Sequence, residues 1–281
     1  MREVFLPRNL DEVWDAWDRW PAGALVAGGT DLLVRLRAGL VDPPALICLE
    51  RVKELKGVRD AGEAVFVGAG TTHAELLKDQ TINSQFPVLV QALKVLAGPP
   101  IRHMGTIGGN VVNASPAGDT LPPLTVLNAL VEVRSKIGAH RVPISRFITG
   151  PGRVLLKPGE LAAGLWIKKL TGPWLHHYEK VGLRKAQACA VASLAAIIRT
   201  NGNGIVEAAR LAWGSVGPSV VVCPEAEEAL TGGPLSSETL RRLQPLVQGA
   251  ISPIDDVRAS SAYRRQVAGS LLLRLSLLKG S

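Results

Sequence analysis

Three short glycine-rich stretches carry residue types from which an anion site can be built without charged side chains. They are Ala27-Gly28-Gly29-Thr30-Asp31, Gly68-Ala69-Gly70-Thr71-Thr72 and Gly105-Thr106-Ile107-Gly108-Gly109-Asn110. Glycine has no Cβ, so its backbone N–H can approach an anion closely. Thr30 and Thr106 add hydroxyl donors, and a helix starting at such a turn adds the positive end of its dipole. Each hydrogen bond to a charged group contributes roughly 1.5–3 kcal/mol. Four converging on one pyrophosphate would contribute about 6–12 kcal/mol before ordering costs, which reaches the micromolar range. Each turn alone also reads as an ordinary strand-to-helix connection. None is a Rossmann fingerprint, because His73 stands where the third glycine belongs after Gly68 and Gly70, and no Gly-Lys-Ser/Thr of a P-loop occurs. A nucleotide held here needs another architecture.

The stretch from Arg102 to Asp119 sets polar side chains among small residues. Asn110, Asn113, Ser115 and Asp119 have the donors and acceptors to read the edge of a flat heterocycle; the same residues also suit a loop capped by its own side chains. Other chemistries are excluded by spacing. The five histidines form no His-Glu-x-x-His or His/Cys cluster, no Gly-x-Ser-x-Gly elbow occurs, and three scattered cysteines, Cys48, Cys189 and Cys223, cannot hold an iron–sulfur cluster. Each cysteine reads as a buried, inert thiol. The adjacent His176-His177 reads as a solvent or hinge pair. An organic cofactor, or none at all, is what these exclusions leave.

The elements that must position these turns follow from pattern. Val13, Ala16, Trp17 and Trp20 recur at helical spacing after Asn9 or Asp11, which are suitable N-caps. Ala24–Ala27 reads as a buried strand running into the first turn, with a helical segment from Leu32 to Leu36 and another strand at Ala45–Leu49. Ala64–Val67 is a strand entering the second turn, and Thr72 with Glu75 fits a capping box. Pro87–Ala97 reads as a helix stopped by Gly98-Pro99-Pro100. Val126–Val133 continues as helix and then strand, with a further strand around Leu165–Ile167. Beyond Thr171-Gly172-Pro173 the character changes. Strands near Val191–Arg199 and Val206–Trp213 flank the hairpin turn Asn201-Gly202-Asn203-Gly204, and helices follow at Ala226–Leu230, Ser236–Gly249 and Ala259–Leu278. The expected division is 1–171, with subdomains of about 1–55 and 56–171, followed by an α+β domain at 172–281.

Composition agrees with two or three packed units. The 281 residues are 47% hydrophobic and 20% charged, the balance of a globular chain with a sizeable core. No stretch reaches the roughly 18–20 apolar residues of a membrane span, and the opening residues lack the apolar run of a secretory signal, so the cytoplasm is the expected compartment. A net charge of +8 favours anionic partners. Its scattered distribution, without interleaved aromatics, argues against nucleic acid.

Taken together and in order, the three turns resemble those of the FAD-binding (medium) subunit of the xanthine dehydrogenase and carbon monoxide dehydrogenase family of molybdenum hydroxylases. The similarity runs through Pro21–Gly39 and Gly68–Thr72, and is most specific from Arg102 to Pro123. Later stretches, Tyr178–Val181 with Arg184, Cys189–Ala195, Trp213–Pro218, and Asp255–Arg258 with Tyr263-Arg264, are similar to that family's C-terminal flavoprotein domain. The resemblance implies an α+β fold: a two-part FAD-binding domain of the vanillyl-alcohol-oxidase/PCMH type, then an α+β C-terminal domain. It implies that Ala27, Gly28, Gly29, Thr30 and Asp31 wrap the pyrophosphate and neighbouring ribose of FAD, and that Thr106, Ile107, Gly108, Gly109 and Asn110 meet it from the other side. Asn113, Ser115 and Asp119 would approach the adenine-to-flavin span, with Asp119 as a partner for the flavin ring or ribityl chain. Lys180 would lie near the pyrimidine edge, where a cation favours the reduced flavin. It further implies partner chains: a large subunit with a molybdenum-pterin cofactor and a small subunit with two-iron two-sulfur clusters, with NAD or another acceptor downstream. Two alternatives stand beside it, a stand-alone reductase of the UDP-N-acetylenolpyruvylglucosamine type and an assembly subunit without flavin.

Overall fold

A computed structural model describes residues 2–278. The first unit is a three-stranded parallel sheet in the order Glu3–Phe5, Ala45–Cys48, Ala24–Val26. Parallel neighbours need crossovers, and helices Leu10–Arg19 and Leu32–Arg37 supply them. The first helix begins where Asn9 accepts the Glu12 N–H at 2.9 Å, with Asp11 and Glu12 in its first turn. Its buried face, Leu10, Val13 and Trp14, packs on Ile47, Val52 and Leu55, and Trp14 stacks on Trp17 at 6.0 Å.

The second unit is an antiparallel sheet in the order Val58–Asp60, Ala64–Gly68, Leu161–Lys168, Leu130–Ser135, Gly138–Pro143. Strand Leu161–Lys168 serves two cores. Leu161 and Ala163 belong to the first unit's core, while Leu165 and Ile167 join Val65, Val67, Leu89, Leu93, Ile107 and Val111 in a central one. The helix expected over Pro87–Ala97 ends at Val95. Gly98-Pro99-Pro100 does more than stop it: the two prolines open a new helix, Pro99–Met104. Proline's missing N–H and preset φ suit the first turn, where no intrahelical acceptor is available.

A four-stranded antiparallel sheet follows, in the order Leu175–Gly182, Ala190–Thr200, Val206–Gly214, Val221–Val222. Strand Ala190–Thr200 is apolar from Ala190 to Ile198 except at Ser193, because both of its faces are covered. Ala195 and Ile197 enter the central core, while Ala192, Leu194, Ala196 and Ile198 face the core formed with helices Pro224–Leu230, Ser237–Ala250 and Ser261–Arg274. The turn before Val206 closes as expected, with Asn201 Oδ1 accepting the N–H groups of Asn203 and Ile205. His176 and His177 are neither hinge nor solvent residues; they pair with Ile197 and Ala196 inside the sheet. Gln91, on helix Pro87–Val95, ties this strand to the second unit by donating to His176 O at 3.1 Å and accepting the Tyr178 N–H at 2.6 Å.

Arg264 fastens the last helix to this sheet. It is 2% exposed and donates to Val191 O at 2.7 Å, Ser215 O at 3.0 Å and Asp256 Oδ1 at 2.7 Å. The Arg258 backbone N–H, with the Arg258 and Arg264 guanidiniums, holds the Asp256 carboxyl well below the usual carboxylate range. Arg264→Ala is expected to lower the unfolding free energy by about 2–4 kcal/mol, because two carbonyls in a buried site lose their donor. A lower urea midpoint at unchanged slope checks this, and Arg258→Ala, at a side chain 33% exposed, should move it far less.

Candidate FAD-binding site

The three glycine turns meet on one cleft of about 560 Å³. The first turn leaves strand Ala24–Val26 and reaches helix Leu32–Arg37, with Gly29 in the left-handed region at φ +69°. A Cβ on Gly28 would fall into the Met104 carbonyl and sit 3.0 Å from Gly105 Cα. That position therefore requires glycine, since two backbones touch there. The Gly28, Gly29, Thr30 and Asp31 amides find no acceptor among the described residues. A run of unpaired amides at a loop-to-helix bend is an anion-binding concavity.

The other two turns are built differently. Gly68 and Gly70 lie against the Leu55 carbonyl, where an added Cβ would come within 2.5 and 3.0 Å of the oxygen. Thr72 and Glu75 complete the expected capping box. The third turn does not follow a strand: it joins helix Pro99–Met104 to helix Ile107–Asn113, which Thr106 caps by accepting the Gly109 N–H at 3.1 Å. Its amides other than that of Thr106 are committed. Ile107 donates to Thr71 O at 3.0 Å, Gly108 to Ala69 O at 2.9 Å and Asn110 to Thr106 O at 3.0 Å.

Two of the expected residues also serve the packing. Ile107 is fully buried in the central core and does not line the cleft. Gly108 lines it, yet its missing Cβ serves packing, since that atom would overlap Ala69. Thr106, Gly109 and Asn110 do border the cleft, as do all five residues from Ala27 to Asp31. The run of uncommitted amides therefore lies on one side, and the other side presents Thr106, whose N–H also has no acceptor among the described residues, and the open face of Gly109.

Asn113, Ser115 and Asp119 line the same space. Asn110 Oδ1 accepts from the Thr120 hydroxyl at 2.5 Å, and Ser115 Oγ accepts the Ala117 N–H at 3.3 Å. Asp119 joins the two halves of the chain, accepting from Tyr178 OH at 2.9 Å and Lys180 Nζ at 2.7 Å, with Asp119 and Lys180 side chains each 9% exposed. Burial pushes the Asp119 carboxyl up, opposed by the Lys180 charge and by both hydrogen bonds. Burial and the neighbouring carboxylate push the Tyr178 hydroxyl well above its usual value, which keeps it a donor. Lys180 does not line the cleft; it also donates to Ala188 O at 3.1 Å and reaches the site through Asp119.

A family model described as the FAD binding domain in molybdopterin dehydrogenase matches residues 1–167. The chain belongs to this family. A second model, the CO dehydrogenase flavoprotein C-terminal domain, matches residues 176–277. The glyceraldehyde dehydrogenase medium chain of Sulfolobus acidocaldarius is 32% identical over 89% of this chain and 88% of its own length. The xanthine dehydrogenase FAD-binding subunit of Escherichia coli O157:H7 is 31% identical over 87% and 84%. Among solved structures, CO dehydrogenase from Oligotropha carboxidovorans superposes with a TM-score of 0.92 at 27% identity, over 98% of this chain and 96% of that one. Quinoline 2-oxidoreductase from Pseudomonas putida 86 gives 0.93 at 26%, over 99% and 96%.

In this FAD-binding chain, sequence reasoning missed part of the wall. Gln187, Ala188 and Cys189 bring the C-terminal half to the cleft, with Gln187 left-handed at φ 53° and its carbonyl held by Arg184 Nη2 at 2.6 Å. Cys189 is exposed and Cys48 half-buried; only Cys223 is the enclosed thiol expected of all three. Ala97, also left-handed, lines the cleft too, and Arg102 holds the Leu96 and Ala97 carbonyls at 2.8 and 2.9 Å. Residues other than glycine at positive φ mark strained segments, but alanine and glutamine announce no such conformation. His73 was read only as a failed glycine, although it lines the cleft in buried form. Burial, with the Arg102 charge second, lowers its pKa to about 4. Its protonation therefore favours the unfolded chain. Stability should be undiminished by this group above pH about 6.5 and fall by about 3 kcal/mol as pH drops through about 4. Comparing acid unfolding of the wild type with His73→Gln, which should lose that component of the slope, checks it.

Proposed function

We propose that this chain is the FAD-binding electron-transfer subunit of a cytoplasmic molybdenum hydroxylase, taking electrons from the iron–sulfur clusters of a partner and passing them to NAD or another acceptor. The observation that carries the reading is the run of four uncommitted amides from Gly28 to Asp31, facing Thr106 and Gly109 across one cleft. Such donors suit the diphosphate of FAD. They bind charge without a cation of their own. Asn110, Asn113 and Ser115 offer polar atoms to the rest of the dinucleotide. Asp119 borders the cleft with Tyr178 and Lys180 behind it, so Lys180 serves as a positioning residue whose charge is felt through the carboxylate. Bound FAD supplies the redox chemistry; this chain's residues orient it and set the surrounding electrostatics.

The assembly follows from what the chain lacks in ligands and from its relatives. Three dispersed cysteines cannot ligate a two-iron two-sulfur cluster. The clusters and the molybdenum-pterin cofactor therefore belong to separate small and large subunits, and the medium-chain name of the Sulfolobus relative fits a three-subunit assembly. Residues 1–171 act as the FAD-binding part and 172–281 as the C-terminal domain that closes the cleft through Gln187–Cys189.

Gly109→Val tests the cradle. A Cβ there meets only Thr106 Oγ at 3.0 Å, so the side chain projects into the cleft while the fold persists. The expected outcome is protein with unchanged circular dichroism and no retained flavin absorption; a variant as yellow as wild type contradicts the cradle. Affinity capture of the tagged chain from its own cells should recover a large and a small subunit. Recovery of a lone, fully active monomer contradicts the assembly.

A further inference from the structure

His73 is a buried titratable group on the cleft that neither the amide cradle nor the Asp119 cluster uses. It opens helix His73–Lys78, is 3% exposed, and donates its backbone N–H to Gly105 O at 3.0 Å. The Cδ2–Nε2 edge of its ring faces Gly105, where an added Cβ would meet these atoms at 3.3 and 3.5 Å. Gly105 also lines the cleft, and its Cα lies against Gly28. One residue thus separates the imidazole from the first turn's uncommitted amides. Nδ1 is enclosed and has no partner among the described residues. An enclosed N–H without an acceptor is rarer and costlier than an enclosed lone pair, so the ring proton resides on Nε2. Nε2 is the polar atom of the edge that faces Gly105, and both His73 and Gly105 line the cleft.

We propose that His73 is a neutral, Nε2-protonated hydrogen-bond donor to the diphosphate–ribose stretch of the bound dinucleotide, beside the Gly28–Asp31 cradle. The inference rests on FAD occupying this cleft. Desolvation and the Arg102 charge keep the ring uncharged near neutral pH, so His73 adds a directed donor without a buried cation. Burial of the ring at 3% exposure against Gly105 restricts its rotamers before the ligand arrives.

The full chain labelled with [15N]histidine, with and without FAD, tests this. The signal lost in His73→Gln should report unprotonated Nδ1 and protonated Nε2 without FAD, and its Nε2–H should exchange more slowly with water once FAD is bound. An Nδ1-protonated or charged ring, or one indifferent to FAD that the wild type demonstrably binds, overturns the inference. Two variants supply a second measure. Glutamine carries its amide nitrogen near the place of Nε2, and asparagine near that of Nδ1. His73→Asn should weaken FAD binding about tenfold or more, the loss of one hydrogen bond to a charged group, while His73→Gln stays within about threefold. Equal affinities for the two variants overturn the assignment of the donor to Nε2. A wild-type chain that binds no FAD overturns the functional reading and this inference together, whereas the other adverse results overturn this inference alone.

Discussion

The structure depends on backbone meeting backbone without a Cβ between. Gly28 rests on the Met104 carbonyl, Gly108 on Ala69, and Gly68 on Leu55. These contacts bring loops from a parallel sheet and an antiparallel sheet close enough to share one cleft. Side chains at these positions would push the loops apart, and no repacking elsewhere would restore the gap, because the obstructing atoms are main chain. The hydrophobic cores hold each unit; the glycine contacts set the distance between them.

That arrangement divides the work among three turns that look alike as residues. The second and third spend their amides on capping and on each other: Thr71 and Ala69 carbonyls take Ile107 and Gly108, while Thr106 takes Gly109. Only the first turn keeps a run of amides without acceptors among the described residues on the cleft wall. A committed donor cannot also bind a ligand without losing its existing bond, so counting glycines overstates the size of an anion site.

On the opposite side of the cleft, charge is handled by pairing across domains. Asp119 comes from the FAD-binding part, and Tyr178 and Lys180 from the first strand of the C-terminal sheet. A carboxylate and an ammonium that are both nearly enclosed are tolerable only together. The pair therefore locks the second domain into one position over the cleft, with Gln91 holding the same strand from its other side. Closure of the site and burial of the pair are one event.

Local order was legible in the residues: a cap at Asn9, the Thr72–Glu75 box, the hairpin at Asn201–Gly204 and the apolar strand near Val191–Arg199 depend on neighbours a few positions away. So did the grouping of three glycine turns and the family they point to. Which amides stay uncommitted, that the Ile107 side chain packs in the core, that Gln187 and Cys189 reach the cleft, and that His73 lines it with one nitrogen enclosed were decided only in three dimensions. Caps and turns are short-range bonds written in adjacent residues. A donor's availability is set by whatever distant carbonyl folding brings within reach, and no spacing along the chain records that.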